Sequence, residues 1–212
     1  DRIVREQAIS VRIVDDSVQV RCPTLVGDHG AAVVCAGRGT AALARSVGIE
    51  IPVQLGAHVR VSFAVRDTSI GRLPTLQDGS GEFGFSGIYA AAYPDRSAYG
   101  LGLSDTVDAD PDGTIVDGDT LARYAHDAGA YVSRALPGLD PTPTGIVHCW
   151  VTTLPWGDDG VAIWQNGPVL AVAGHNLFKH APTIGETLAL SVDVGSVPDP
   201  FTPASRLGSA AD

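Results

Sequence analysis

Lys179 is the residue whose setting most asks for chemistry. It stands in Asn176-Leu177-Phe178-Lys179-His180-Ala181-Pro182, just ahead of an expected helix start. A cation there opposes the positive end of the helix dipole, which favours a role beyond that of an ordinary surface lysine. His148, Cys149, His175 and His180 raise the question of a metal centre. His175 and His180 lie four loop residues apart with no carboxylate at ligand spacing, so satisfied or solvent-facing histidines are expected and no metal. Ser104-Asp105 with a histidine would imitate a hydrolase triad, but no GxSxG elbow exposes that serine. Gly79-Ser80-Gly81-Glu82-Phe83-Gly84 fits the GxGxxG string of dinucleotide folds, which works only between a strand and a helix that receives the pyrophosphate. A β-rich run follows it and Glu82 would repel phosphate, so a turn is expected. Cys35-Ala36-Gly37-Arg38-Gly39-Thr40 is better placed, after an apolar strand and before a helix. Its glycines would let the backbone approach a ligand closely, and equally would serve an ordinary strand-to-helix turn that needs positive φ. The residues alone leave both readings open.

The elements that position these residues fall in three stretches. Residues 9–14 and 18–22 are β-branched runs around Asp15-Asp16-Ser17, a hairpin in composition. Ala31 to Cys35 is continuously apolar, as a strand buried on both faces would be. Thr40 to Val47 has helical spacing, with Thr40 the expected N-cap and Gly48 the stop. Strand, glycine turn and helix in that order belong to an α/β layer. In the middle, His58 to Arg66 alternates, with Val59, Val61, Phe63 and Val65 on one face and Arg60, Ser62 and Arg66 on the other. Strands are expected at 83–92 and 98–103, an acidic loop at 105–119, a helix at 121–135 and a stiff connection through Pro141 and Pro143. The last third returns to strands at 146–152, 161–165 and 169–173, then a polar loop and a helix from about Pro182 to Leu190. The expected division is 1–56, 57–148 and 149–212.

The 212 residues carry 14 Lys and Arg against 24 Asp and Glu, a net charge of −10, and are 44% apolar. At about 150 residues per domain this is one large domain or two small ones, with enough core to need no disulfides. The acidic excess argues against a nucleic-acid partner, and no apolar run approaches the ~20 residues of a membrane span. Three cysteines, Cys22, Cys35 and Cys149, give neither a disulfide framework nor a structural zinc site. No signal segment is visible at the N-terminus, so a reducing cytoplasm is the default expectation. The chain contains no Met, so its first residue is processed or it is one piece of something longer.

Several segments together resemble a known family. Val33-Val34-Cys35-Ala36-Gly37-Arg38-Gly39-Thr40, followed by Gly48-Ile49-Glu50-Ile51-Pro52-Val53, resembles the "VVxAGAWT…LGLxxPV" stretch of FAD-dependent amine oxidases of the monomeric sarcosine oxidase type, in the D-amino acid oxidase superfamily. His148-Cys149-Trp150-Val151-Thr152-Thr153 resembles that family's "CxYT" strand. Ala173 to Glu186 resembles its "GHGFKxxPxxGE" loop and helix. The resemblance implies an α/β (α+β) fold, part of an FAD-binding α/β layer plus an antiparallel substrate layer with helices, discontinuous in the chain. It implies that Gly37, Arg38, Gly39, Asn176, Leu177 and Phe178 lie against FAD. Cys149 aligns with the cysteine that in monomeric sarcosine oxidases carries the flavin covalently, and Lys179 with a lysine facing the substrate carboxylate.

The departures shape the expectation. The family's N-terminal GxGxxG unit has no counterpart here, which implies a second chain supplying it. Gly100 or its neighbour stands where the oxidases hold a lysine that activates O₂. Val151 replaces a tyrosine near the substrate, which argues against sarcosine itself. The expected function is that of a C-terminal portion or subunit of an FAD-dependent oxidoreductase, oxidising a C–N bond of a small amine or amino-acid derivative. The alternatives are a flavin-free small-molecule-binding or non-redox protein derived from this fold, and a structural subunit that completes a partner enzyme.

Overall fold

The computed structural model of the chain describes residues 3–67, 69, 73–85, 87–110, 113–115 and 117–208, with the side chains of 104 and 105 outside the description. The chain divides into two compact units, Asp1–Gln54 with Thr152–Asp212, and Leu55–Val151. The fold is α/β with antiparallel sheets.

The first unit holds two three-stranded sheets. β1 (Ser10–Val14), β2 (Ser17–Arg21) and β3 (Val26–His29) form an antiparallel meander in that order. The hairpin closes with Val14 opposite Ser17, and Asp15 takes φ 53°, the left-handed turn conformation its short polar side chain tolerates. The second sheet orders β10 (Val161–Asn166), β11 (Val169–Gly174) and β4 (Ala32–Val34), with β11 parallel to β4 and antiparallel to β10. Every residue of β11 is buried, which is why it reads as an unbroken apolar run. One apolar cluster joins Val11 and Val18 of the meander to Val34, Val169 and Ala171 of the second sheet, through Ala44 of α1 (Thr40–Arg45) and the following Val47, Ile49 and Ile51. Another joins Ile163, Leu170 and Val172 to Ile184 and Leu188 of α3 (Ala181–Val194). Alternate residues of β11 thus enter different clusters, the period-2 consequence of a strand covered on both faces.

Two expectations about this unit are corrected. The run at 31–35 is not buried on both faces: Val34 is buried while Val33, 40% exposed, and Cys35 are not, so only one face of β4 is covered. Thr40 is not the N-cap. It lies inside α1, 1% exposed, and its hydroxyl accepts the Ala36 N–H at 2.9 Å, tying the turn to the helix from the far side.

The second unit is one five-stranded sheet covered on one face by one helix. Its order is β6 (Leu76–Asp78), β7 (Ile88–Ala92), β8 (Ala98–Asp108), β5 (Gln54–Val65) and β9 (Leu139–Thr153). α2 (Gly118–Ala135) starts where the Asp117 carboxylate accepts the N–H groups of Asp119 and Thr120 at 3.0 and 3.3 Å. Tyr124, Ala128, Tyr131 and Val132, spaced as one helical face, pack on Val59, Val61, Phe63 and Leu101. The expected loop at 105–119 is shorter than the sequence suggests, since β8 runs on to Asp108. Pro141 and Pro143 are not a connection but part of β9, an edge strand, the place in a sheet where proline is tolerated. The expected strand at 83–92 begins only at Ile88. Residues 79–84 form a turn, with Gly81 and Gly84 at φ 73° and 91° and the Gly84 N–H donating to Gly81.

Candidate functional site

In the first unit the geometry is set by one pair of strands. β4 and β11 run parallel with Ala32 opposite Val169 and Val34 opposite Ala171, so their C-terminal ends point the same way. The segments that follow, residues 35–39 and 174–180, therefore leave from one end of the sheet, the end where open α/β sheets present ligands. This brings Gly37, Arg38 and Gly39 to the same end as Asn176, Leu177, Phe178 and Lys179.

Both segments are tight turns held by their own backbone. Gly37 has φ +55° and nothing within 4 Å of where a Cβ would stand, so the turn presents bare backbone outward. The Gly39 N–H donates to Ala36 at 3.0 Å. Asn176 also takes φ 55°, and its carbonyl accepts the Lys179 N–H at 3.0 Å. Its side-chain amide donates to Asp159 Oδ1 at 3.3 Å, while His175 Nδ1 and the Asp158 carbonyl lie 2.9 Å apart. The carboxylate and carbonyl at 158–159 thus fix the loop from behind.

A cleft of about 490 Å³ opens beside this loop, lined by Asp159, Asn176, Lys179, His180, Thr183 and Phe201 among others. Its wall is completed by the C-terminal tail, which hydrogen-bonds to β10 from Phe201 and Leu207. Gly208, at φ +80°, lies so close to Asp159 that a Cβ there would meet its carbonyl oxygen. Lys179 is exposed, with Nζ 6.0 Å from the centre of the Phe178 ring, and Phe178 is 78% exposed. An aromatic ring that uncovered at the end of a sheet is a surface that a ligand or another segment can cover. The donors here, a side-chain amide, a lysine, a histidine and the N–H groups opening α3, suit an acceptor-rich ring such as the flavin pyrimidine.

The remaining candidates lie in the second unit. Cys149 is exposed on β9, between His148 and Trp150, whose rings meet edge to face at 5.0 Å. Val151, two residues on, is 5% exposed. Three residues beyond Cys149, Thr152 belongs to the first unit, where its hydroxyl donates to Gly174 at the end of β11 at 2.9 Å. Gly100, expected where the oxidases carry a lysine, lies in β8 with the Tyr93 ring against it. The Ser104-Asp105 pair falls on side chains outside the description. Among the described residues no group of three His, Cys, Asp or Glu could hold a metal, and no helix is long and apolar enough to cross a membrane.

Sequence reasoning missed the backing provided by residues 158–159 and by the tail.

No family model and no curated protein matches the chain. Solved structures do. It is similar to NikD in its open form, an unusual amino acid oxidase essential for nikkomycin biosynthesis, with TM-score 0.74 and 16% identity over 96% of this chain and 54% of that one. It is similar to L-proline dehydrogenase from P. horikoshii, with TM-score 0.65 and 17% identity over 92% of this chain and 51% of that one. It is also similar to the glycerol-3-phosphate dehydrogenase from Bacillus halodurans complexed with FAD, with TM-score 0.54 and 12% identity over 96% of this chain and 42% of that one. The chain spans about half the length of the structures it matches. The fold of this chain is the one found in that half of these oxidases and dehydrogenases.

Proposed function

We propose that the chain is the portion of an FAD-dependent oxidoreductase that completes the flavin site and recognises a small amine or amino-acid derivative, with the dinucleotide-binding unit supplied by a second chain. The observation that carries this reading is the parallel register of β4 and β11, which sends residues 35–39 and 174–180 to one end of the sheet. The likeness to amino acid oxidases and dehydrogenases supports it. The flavin, when bound, accepts a hydride from the carbon that bears nitrogen. This chain's residues bind and orient. Gly37 to Gly39 offer bare backbone, Asn176 and the loop N–H groups offer donors, and Lys179 offers a cation for the substrate carboxylate. Phe178 offers an exposed apolar ring for a ligand to cover. Cys149 is the position for covalent attachment, and Val151 the residue in place of the family's tyrosine.

The open edge of β4 supports the second chain. β10, at the other edge, donates backbone N–H groups of Val161 and Ile163 to Leu207 and Phe201 of the tail, whereas β4 has no strand on its outer side among the described residues. An edge strand can pair with a further strand.

The test is an intact mass under denaturing conditions, with a visible spectrum, on the protein purified from its source. A flavin spectrum and a second chain are expected, with the flavin's mass added to this chain if Cys149 is bonded. A colourless, solitary, unmodified chain overturns the reading and leaves the ligand-binding alternative.

A further inference from the structure

β4 and β11 are parallel neighbours, and parallel strands occur almost only where both faces of their sheet are covered. One face here is closed. Ala32 and Val34 of β4, paired with Val169 and Ala171, pack with them toward α1 and the meander. The other face is closed over part of its width, where Ile163 of β10 and Leu170 and Val172 of β11 lie under Ile184 and Leu188 of α3. Val33 pairs with Leu170 and so points to this same face, yet it is 40% exposed. α3 therefore covers β10 and β11 and stops short of β4.

The flank of α3 that borders this gap follows from the helix period. Thr183 shares a cleft with Phe201 and Leu207, whose carbonyls accept the Ile163 and Val161 N–H groups, so its side of the helix looks toward β10 and the tail. Gly185, Ala189 and Val192, at i, i+4 and i+7, lie on the opposite flank, toward β4. All three are exposed, Val192 at 38%, and nothing stands within 4 Å of where a Cβ on Gly185 would be. A ridge this small lets a second helix pack at the short end of the usual spacing of about 8–10 Å. Glu186 and Asp193 follow on the solvent side of the ridge, and α3 has no basic residue to answer them. No other helix of the described residues fills the gap: α1 lies on the opposite face, and α2 packs on the sheet of its own unit. The solved structures that share this fold hold about as much chain again.

We infer that the gap between α3 and Val33 seats a helix of the second chain, with its apolar stripe on Val33, Gly185, Ala189 and Val192 and its basic residues against Glu186 and Asp193. The inference rests on the proposed two-chain reading and deepens it, from a strand at the β4 edge to a strand and a helix entering together. The test uses the full chain, tagged in its source, with the second chain measured by mass spectrometry after purification. Ala189→Arg sets a charge at the centre of the ridge and lowers recovery of the second chain by about tenfold or more, while Leu190→Arg, 52% exposed on the Thr183 flank, keeps it within about twofold. Both variants keep the urea midpoint of the isolated chain, since both positions are exposed. Carbodiimide treatment of the parent complex joins Glu186 or Asp193 to a lysine in a segment of the second chain whose apolar residues recur at helical spacing. Full recovery with Ala189→Arg, equal losses with the two variants, or a join to another copy of this chain would each overturn the inference and leave the two-chain reading standing. Recovery of no second chain with the parent overturns that reading, and this inference with it.

Discussion

Gly174→Ala is expected to be among the most damaging single-methyl changes in the chain. Gly174 ends β11 at φ +153°, a conformation open to glycine and strained for alanine. A Cβ there would stand 2.3 Å from the Gly160 carbonyl oxygen, 3.0 Å from Val161 Cα and 3.1 Å from Leu177 Cδ2. The first two are backbone and cannot swing aside. Gly160 is fixed by its N–H bond to Gly157 and by accepting the His175 N–H, and Val161 is Gly174's own partner in the ladder. Relief therefore requires the end of β11 to part from β10 or the site loop to shift. Strain of about 1–3 kcal/mol and overpacking of a further 1–3 kcal/mol give a loss of about 2–6 kcal/mol, a large share of a typical folding free energy. At an m-value of about 3 kcal/mol/M in urea, the midpoint falls by roughly 0.7–2 M. The matched control is Gly185→Ala, the same methyl on an exposed helical position of α3 with nothing within 4 Å. There it should raise the midpoint, since alanine in a helix is favoured over glycine by about 0.5–1 kcal/mol. Urea unfolding followed by tryptophan fluorescence reads both. If Gly174→Ala unfolds within 0.2 M (roughly half a kcal/mol) of the parent, the close approach of residues 160 and 174 is refuted.

Other outcomes follow from the same packing. Leu170→Ala removes a side chain 1% exposed between Ile163 and α3, and should cost about 2–5 kcal/mol in the urea midpoint; a loss under 1 kcal/mol would mean the two do not pack. Val33→Lys should leave the chain's own midpoint within about 0.5 kcal/mol yet abolish co-purification with the second chain, and continued co-purification would refute the role given to the β4 edge. Burial, with the hydrogen bond to Asp78 at 2.8 Å, pushes the Tyr131 phenol up to about 12. Its folded form thus favours the neutral phenol, so this stabilisation is whole below pH 10 and is lost as pH rises from 10 toward 12. Tyr131→Phe should be less stable at pH 7 by about 1 kcal/mol and fall less steeply on the alkaline side; equal alkaline slopes in the two proteins would refute the assignment.

What the sequence disclosed and what it withheld divide along physical lines. Local signals carried the alternation at 59–65, the hairpin around Asp15-Asp16-Ser17 and the helix at 121–135, because each depends on neighbours within a few residues. Where the outcome depended on a partner far along the chain, the sequence was silent or misleading. Val33 sits in an apolar run like a doubly buried strand, but its exposure follows from what covers that face of β4, and no run of five residues encodes that. Pro141 and Pro143 suggest a break, and only their place on an edge strand makes them harmless. The resemblance located residues 35–39 and 174–180 as a pair. What puts them at one end of a sheet is the register of β4 against β11, two strands more than 130 positions apart. The glycines mark the boundary most sharply. Gly37 and Gly174 both look like loop glycines, yet one has open space where a side chain would go and the other has a carbonyl oxygen. Gly100 and Gly102 look like weak points in a strand until the register sets Tyr89 and Tyr93 beside them. A missing side chain acquires meaning only from what occupies its place, so functional surfaces floored by glycine are among the last features a single sequence yields.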